Sequence, residues 1–277
     1  MNCGTSERSR VAVVVLALFA ASSSARAIGV LAQPINFYLT GDAGSTLAAR
    51  VWLSPTAGDA VASLSVTSFT VDQQGKPASC EGRLDRSVVP WTSLSTHRLL
   101  LRSGGSEPLD LKLEIPLAAV GTYWGAVMMD VEPAAPDHLL PVRSRLAIPL
   151  FVTVRGTEAA RVRIEELHAF RSAEGDVLVN AMIVNDGNTV LHSPVLLSVE
   201  AGDRSAPIEL ASLEDTVVTV LPGNRRAIRL LIRGDFGADR KLRVGAWIRF
   251  GRSASEVVEG LCDVLPTRCA TPGCVGS

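Results

Sequence analysis

Apolar and polar residues alternate with period two along most of this chain, and almost nowhere do they recur at the three-to-four spacing of an amphipathic helix. Leu109, Leu111, Leu113 and Ile115 alternate with Asp110, Lys112 and Glu114 until Pro116 ends the run. Such a segment is a strand with one wet face and one buried face. Leu64, Val66, Phe69 and Val71 mark another apolar stretch of this kind. The second half repeats the habit at 162–167, 177–184, 190–199, 217–221, 228–232, 242–250 and 257–264. Between these lie Gly175-Asp176, Asp186-Gly187-Asn188, Gly202-Asp203, Pro222-Gly223-Asn224 and Gly234-Asp235. Each of these pairs or triplets bends the chain, through positive φ at Gly or Asn or through the fixed φ of Pro.

Seven short strands about ten residues apart predict a β-sandwich of immunoglobulin-like type for the second half. The first half has the same content with longer loops. The fold class expected is therefore all-β: two tandem immunoglobulin-like β-sandwich domains after a cleavable signal peptide. The signal is read from Arg8 and Arg10, the apolar run at 11–21, and the small residues from Ser22 to Ala27. Eleven apolar residues are too few for a membrane span, which needs roughly 20. The expected layout is a signal peptide at 1–27, sandwiches at 28–155 and 156–264, and a cysteine-containing tail at 265–277. No membrane span is expected in the mature chain.

Composition narrows the function classes. The 277 residues carry 27 basic against 28 acidic side chains, a formal charge of −1. A chain so balanced, and 47% hydrophobic, is neither disordered nor a basic nucleic-acid binder, so no nucleic acid is expected as a partner. Only Lys76, Lys112 and Lys241 are lysines, and the arginines are spread without a cluster. Export to an oxidising compartment makes disulfides the expected use of Cys80, Cys262, Cys269 and Cys274, with three pairings open. A zinc site is the weaker reading, since C-x6-C-x4-C lacks a close cysteine pair.

Catalytic motifs are missing. His97, His138, His168 and His192 show no metal-ligand spacing, no serine sits in a G-x-S-x-G elbow, and no phosphate-binding glycine loop occurs. The expectation is a non-enzyme with no cofactor and no metal. Trp52, Trp91, Trp124 and Trp247 are expected to pack in cores.

One stretch departs from ordinary strand length. From Leu140 to Val154 the positions Leu140, Val142, Leu146, Ile148, Leu150, Val152 and Val154 are apolar, while Pro141, Arg143, Arg145 and Pro149 fall between them. Strands usually run about 3–10 residues. Two readings follow: the alternate side chains fill their own core, or an edge strand offers them, with its main-chain groups, to another chain. Prolines fit an edge, where a missing N–H breaks no ladder.

Three blocks in order resemble the first domain of bacterial pilus-assembly chaperones (PapD-like) and their secreted relatives. They are Val66-Thr67-Ser68-Phe69-Thr70-Val71 with Gly75-Lys76-Pro77, then Val89-Pro90-Trp91-Thr92-Ser93-Leu94, then Gly121-Thr122-Tyr123-Trp124-Gly125 leading to Met128-Met129-Asp130. Arg143-Ser144-Arg145-Leu146-Ala147-Ile148 resembles the long last strand of that domain. Asn185-Asp186-Gly187-Asn188 and Leu221-Pro222-Gly223-Asn224 resemble turns of the family's second domain. The resemblance implies a periplasmic protein that binds a pilus subunit, or another secreted polypeptide, by strand addition, with an outer-membrane usher as a further partner. On that reading Leu140, Val142, Leu146, Ile148 and Leu150 meet the partner strand. The family's carboxylate-holding pair, an arginine on the first strand and a lysine on the long one, has no counterpart: residues 34–39 hold no arginine and Ala147 takes the lysine's place. Arg143 and Arg145 are the nearby substitutes. The competing expectation is a structural or adhesive envelope protein, at the cell surface, with no chaperone cycle.

Overall fold

A computed structural model describes residues 29–80, 84–134, 143–201, 208–234, 236, 241–251 and 256–265. The signal-peptide reading and the tail lie outside these residues. The first half contributes β1 (Val30–Gln33), β2 (Phe37–Gly41), β3 (Thr46–Pro55), β4 (Ala60–Val71), β5 (Pro77–Cys80), β6 (Thr92–Leu94), β7 (Arg98–Leu101), β8 (Glu107–Glu114), β9 (Gly121–Pro133) and β10 (Ser144–Val154). The second contributes β11 (Val162–Arg171), β12 (Val177–Asn185), β13 (Leu191–Ala201), β14 (Ile208–Val220), β15 (Arg225–Ile232), β16 (Leu242–Phe250) and β17 (Glu256–Leu265). Among the described residues a single 3-10 turn, Val89–Trp91, interrupts the strands. Among the described residues no helix is long and apolar enough to cross a membrane.

The first half is a sandwich of two sheets, ordered β1-β3-β8-β6 and β2-β10-β9-β4-β5, with β7 also pairing β4. The alternation in β8 is realised as read: Leu109, Leu111 and Leu113 are buried while Asp110, Lys112 and Glu114 face water. These leucines pack against Val127, Met129 and Val131 of β9 and Ile148, Leu150 and Val152 of β10 in one core. On the wet face Arg50 sits across from Asp110 and binds it through two contacts, of 2.5 and 3.1 Å. Trp52, expected in a core, lies 45% exposed with the Arg50 guanidinium 5.7 Å from its ring. The period-two rule accounts for this, because Trp52 has the outward parity of β3 while Val51 and Leu53 point in.

The second half forms one sheet in the order β14-β13-β16-β17-β11-β12-β15. It bends back on itself at β11 and β17, which among the described residues meet in parallel through two residue pairs, Ala169 with Val264 and Phe170 with Leu265. Its two halves face each other as a sandwich, with Val179, Ala181 and Ile183 of β12 packed in the same core as Val195, Leu197 and Val199 of β13.

A third apolar cluster joins the halves. Phe69, Trp124 and Phe151 from the first sandwich pack with Leu221 and Val190 from the second. Trp124 donates its indole N–H to the Phe69 carbonyl at 2.9 Å, which satisfies the polar end of a buried ring. Trp124 was expected in the first domain's own core and serves the junction instead. Around this cluster Thr122 N–H donates to Asn188 O (2.8 Å), Gly121 N–H to Thr157 Oγ1 (2.7 Å) and Ala227 N–H to Gln73 O (2.7 Å).

Candidate functional site

The long strand β10 has two edges with different fates. Along its whole length it pairs antiparallel with β9, from Ser144 opposite Val131 to Val154 opposite Gly121. On the other side β2 runs parallel to it only over residues 150–154. Residues 145–149 therefore present an edge that pairs with no described strand.

Backbone parity shows which groups that edge offers. Arg155 N–H donates to Gly41 O at 2.8 Å, so the odd-numbered residues of β10 turn their N–H and C=O groups toward the β2 side. At the open stretch these are Arg145, Ala147 and Pro149. Pro149 thus places its missing N–H at the edge, where no ladder bond to β9 is lost.

The side chains divide by the same parity. Ile148 and Leu150 are at most 1% exposed and fill the core of their own sandwich, together with Val152 and Val154. Leu146, nearest the open end, is half-buried against that core. Leu140 and Val142 lie outside the described residues. Of the alternating row offered to a partner on the sequence reading, Ile148 and Leu150 are thus packed inward, in the core they share with the leucines of β8.

Arg145 and Arg143 stand on the outer face with carboxylates of β9. Arg145 grips Asp130 through Nε at 2.6 Å and through a second nitrogen at 3.2 Å, and this carboxylate holds the arginine's pKa above its ordinary value. Arg143 lies 3.7 Å from Glu132. The four side chains line a shallow groove of about 540 Å³ with Ser63 and Ser144. Both cations expected to meet an incoming carboxylate are therefore already beside one. Ala147 is exposed between Arg145 and Pro149 and carries no charge.

Below this groove the face runs into the junction between the sandwiches. Tyr38 of β2 stacks on Phe151 with ring centres 4.9 Å apart and planes 9° apart, and its other neighbour is His192 of β13 at 4.8 Å. His192 Nδ1 lies 2.8 Å from Thr219 Oγ1. Burial lowers the His192 pKa and raises that of Tyr38. The aromatic content of this wall was not read from the sequence, since β2 is short and its alternation covers only five residues.

Cys262 on β17 is half-buried and has no disulfide partner among the described residues, its thiol pKa pushed up to about 11 mainly by burial. The Cys80 side chain, Cys269 and Cys274 lie outside the described residues, as does His138.

No family model matches the chain, and no curated protein matches it. Solved structures of similar shape include a chain of the chaperone and tip-adhesin complex of CFA/I fimbriae biogenesis, 12% identical over 84% of this chain and 98% of that one, with a TM-score of 0.47. The class 5 fimbriae chaperone CfaA is 14% identical over 84% and 98%, with a TM-score of 0.44. A chain of the CsuC–CsuE chaperone and tip-subunit pre-assembly complex of Acinetobacter baumannii is 17% identical over 72% and 89%, with a TM-score of 0.42. The chain's own strand order and two sandwiches are the basis for describing it as all-β.

Proposed function

We propose that the protein binds another polypeptide by β-strand addition along the open edge of β10, as a chaperone-like protein of the periplasm. The observation that carries this reading is the edge at 145–149, flanked by β9 on one side and by no described strand on the other, where β2 stops. A strand added there meets the N–H and C=O groups of Arg145 and Ala147 and the C=O of Pro149, which supply affinity largely independent of the partner's sequence. Side-chain pockets of the partner would be met by Leu146 and, beyond it, Leu140 and Val142, while Ile148 and Leu150 stay in the core. The partner class is a pilus or fimbrial subunit, or another secreted polypeptide with an exposed groove, and an outer-membrane usher would take the loaded complex. With Arg143 and Arg145 beside Glu132 and Asp130, anchoring falls to the main chain and not to a captured carboxylate.

Those same ion pairs favour a second reading, a structural or adhesive envelope protein at the cell surface with no chaperone cycle. The two readings separate in a pull-down from the native periplasm with mass spectrometry of the bound chains, run on the wild type and on Leu146→Glu. A small subunit-like protein captured by the wild type and lost in the variant is the expected result. A partner indifferent to Leu146, or none at all, would turn the assignment to the structural role.

A further inference from the structure

The inward positions of β13 are apolar at Leu191, Val195, Leu197 and Val199, and Ser193 stands among them. Ser193 is 8% exposed, and its hydroxyl makes no hydrogen bond to any described residue. A serine is smaller than the valines and leucines on either side of it, so it leaves space in the core as well as a polar group.

The space is a half-enclosed cavity of about 200 Å³ between the facing halves of the second sandwich. Val162 of β11 and Asn185 of β12, paired with each other, line one wall. Leu191 and Ser193 of β13 and Phe250 of β16 line the other. All five have the inward parity of their strands, so their side chains converge on the same interior. Arg249, the charged residue along the cavity, has the outward parity of β16, which leaves the interior without charge.

The two buried polar side chains of this interior differ in one respect. Asn185 is fully used: its amide donates to Thr189 O at 2.8 Å and Val220 O at 2.9 Å, and its Oδ1 accepts the Gly187 N–H at 3.0 Å. The Ser193 hydroxyl is left over, and a buried hydroxyl without a partner marks a place where one is needed. Water can supply it, but water gains nothing from Val162, Leu191 and Phe250 around it. A molecule with one hydroxyl and an apolar body answers both parts of the wall. A cavity of about 150 Å³ holds a benzene ring, so this one has room for a ring carrying a small substituent, and Phe250 offers an aromatic neighbour. We propose that this cavity binds a neutral phenol, its ring against Val162, Leu191 and Phe250 and its hydroxyl bonded to Ser193. The inference stands apart from strand addition at β10, since neither needs the other.

The test is a titration of the intact protein followed through the methyl resonances of Val162 and Leu191. The probes are p-cresol, toluene, and tyrosine and phenylalanine blocked at both ends. A saturable shift with p-cresol is expected, at an affinity at least about threefold above that of toluene. Ser193→Ala should weaken p-cresol about fivefold, the loss of one hydrogen bond, and leave toluene within about twofold. Ser193→Leu, which fills the space, should abolish the response to both. Response to p-cresol without blocked tyrosine identifies a free small phenol, and response to both a tyrosine side chain of another polypeptide. No shift with p-cresol up to about 5 mM, which would mean a cavity that keeps its water, overturns the proposal. So do equal affinities for p-cresol and toluene, or indifference of p-cresol to Ser193→Ala.

Discussion

Single residues at the junction carry more consequence than their size suggests. Gly121 has a φ of +73°, and a Cβ there would stand 2.3 Å from the Asn188 carbonyl oxygen, a backbone atom that cannot swing away. Gly121→Ala is expected to destabilise the protein by about 2 kcal/mol or more, read as a fall in the urea midpoint. His192 gives the junction a pH dependence. Its folded pKa is lowered by burial beside Tyr38, so the unfolded chain takes up the proton first as pH falls. The histidine's contribution to stability is complete above its unfolded value near 6.5 and is lost as pH drops below that, through the lowered folded value. The melting temperature of the wild type should therefore fall more between pH 7 and pH 5 than that of His192→Gln, and equal falls would show that this ring is not linked to folding. Sequence gave no sign of these roles, because Gly121 and His192 act on partners in the other sandwich, and only the folded chain brings them together.

At the scale of the strand, periodicity was legible and pairing was not. The runs read at 177–184 and 242–250 match β12 and β16 nearly residue for residue, and the run at 228–232 covers the last five residues of β15, since half-buried strands write their period directly into the sequence. The start of β14 at Ile208 was missed, because Leu213 falls out of step with Ile208 and Leu210, and the adjacent Glu214 and Asp215 interrupt the apolar alternation. In β10 the same alternation supported two readings, and burial separates them: Ile148 and Leu150 belong to the core, while the edge belongs to Arg145, Ala147 and Pro149. Two substitutions distinguish these roles. Ile148→Ala leaves a cavity and should cost about 2–5 kcal/mol in thermal or urea unfolding. Ala147→Pro removes an edge N–H that β9 does not use, so stability should change by less than about 1 kcal/mol while partner capture falls at least about tenfold. Loss of folding in the proline variant would mean that the edge is not open in solution.

For the molecule as a whole, the two-sandwich architecture could be read from turn spacing, whereas the contact between the sandwiches could not. Phe69, Trp124 and Phe151 fall at the parity opposite to the core residues of their strands, and nothing in that local pattern says that the surface they pack against belongs to Leu221, Val190 and their neighbours, more than 30 residues away. The result is a waist held by an apolar cluster and by main-chain bonds from both sides, with the open edge of β10 above it.

Strand direction also decides how the molecule answers a pulling force. In the first sandwich β2, which follows β1 at the entry, and the leaving strand β10 lie parallel over five residue pairs, so once β1 has peeled from β3, tension on the ends must shear all of them together. In the second, the corresponding strands β11 and β17 share two among the described residues. Stretched between its ends in an optical trap, the chain should yield in two steps, the second sandwich first and at the lower force. For a protein that holds a partner at the first sandwich, the grip would outlast the failure of the half below it.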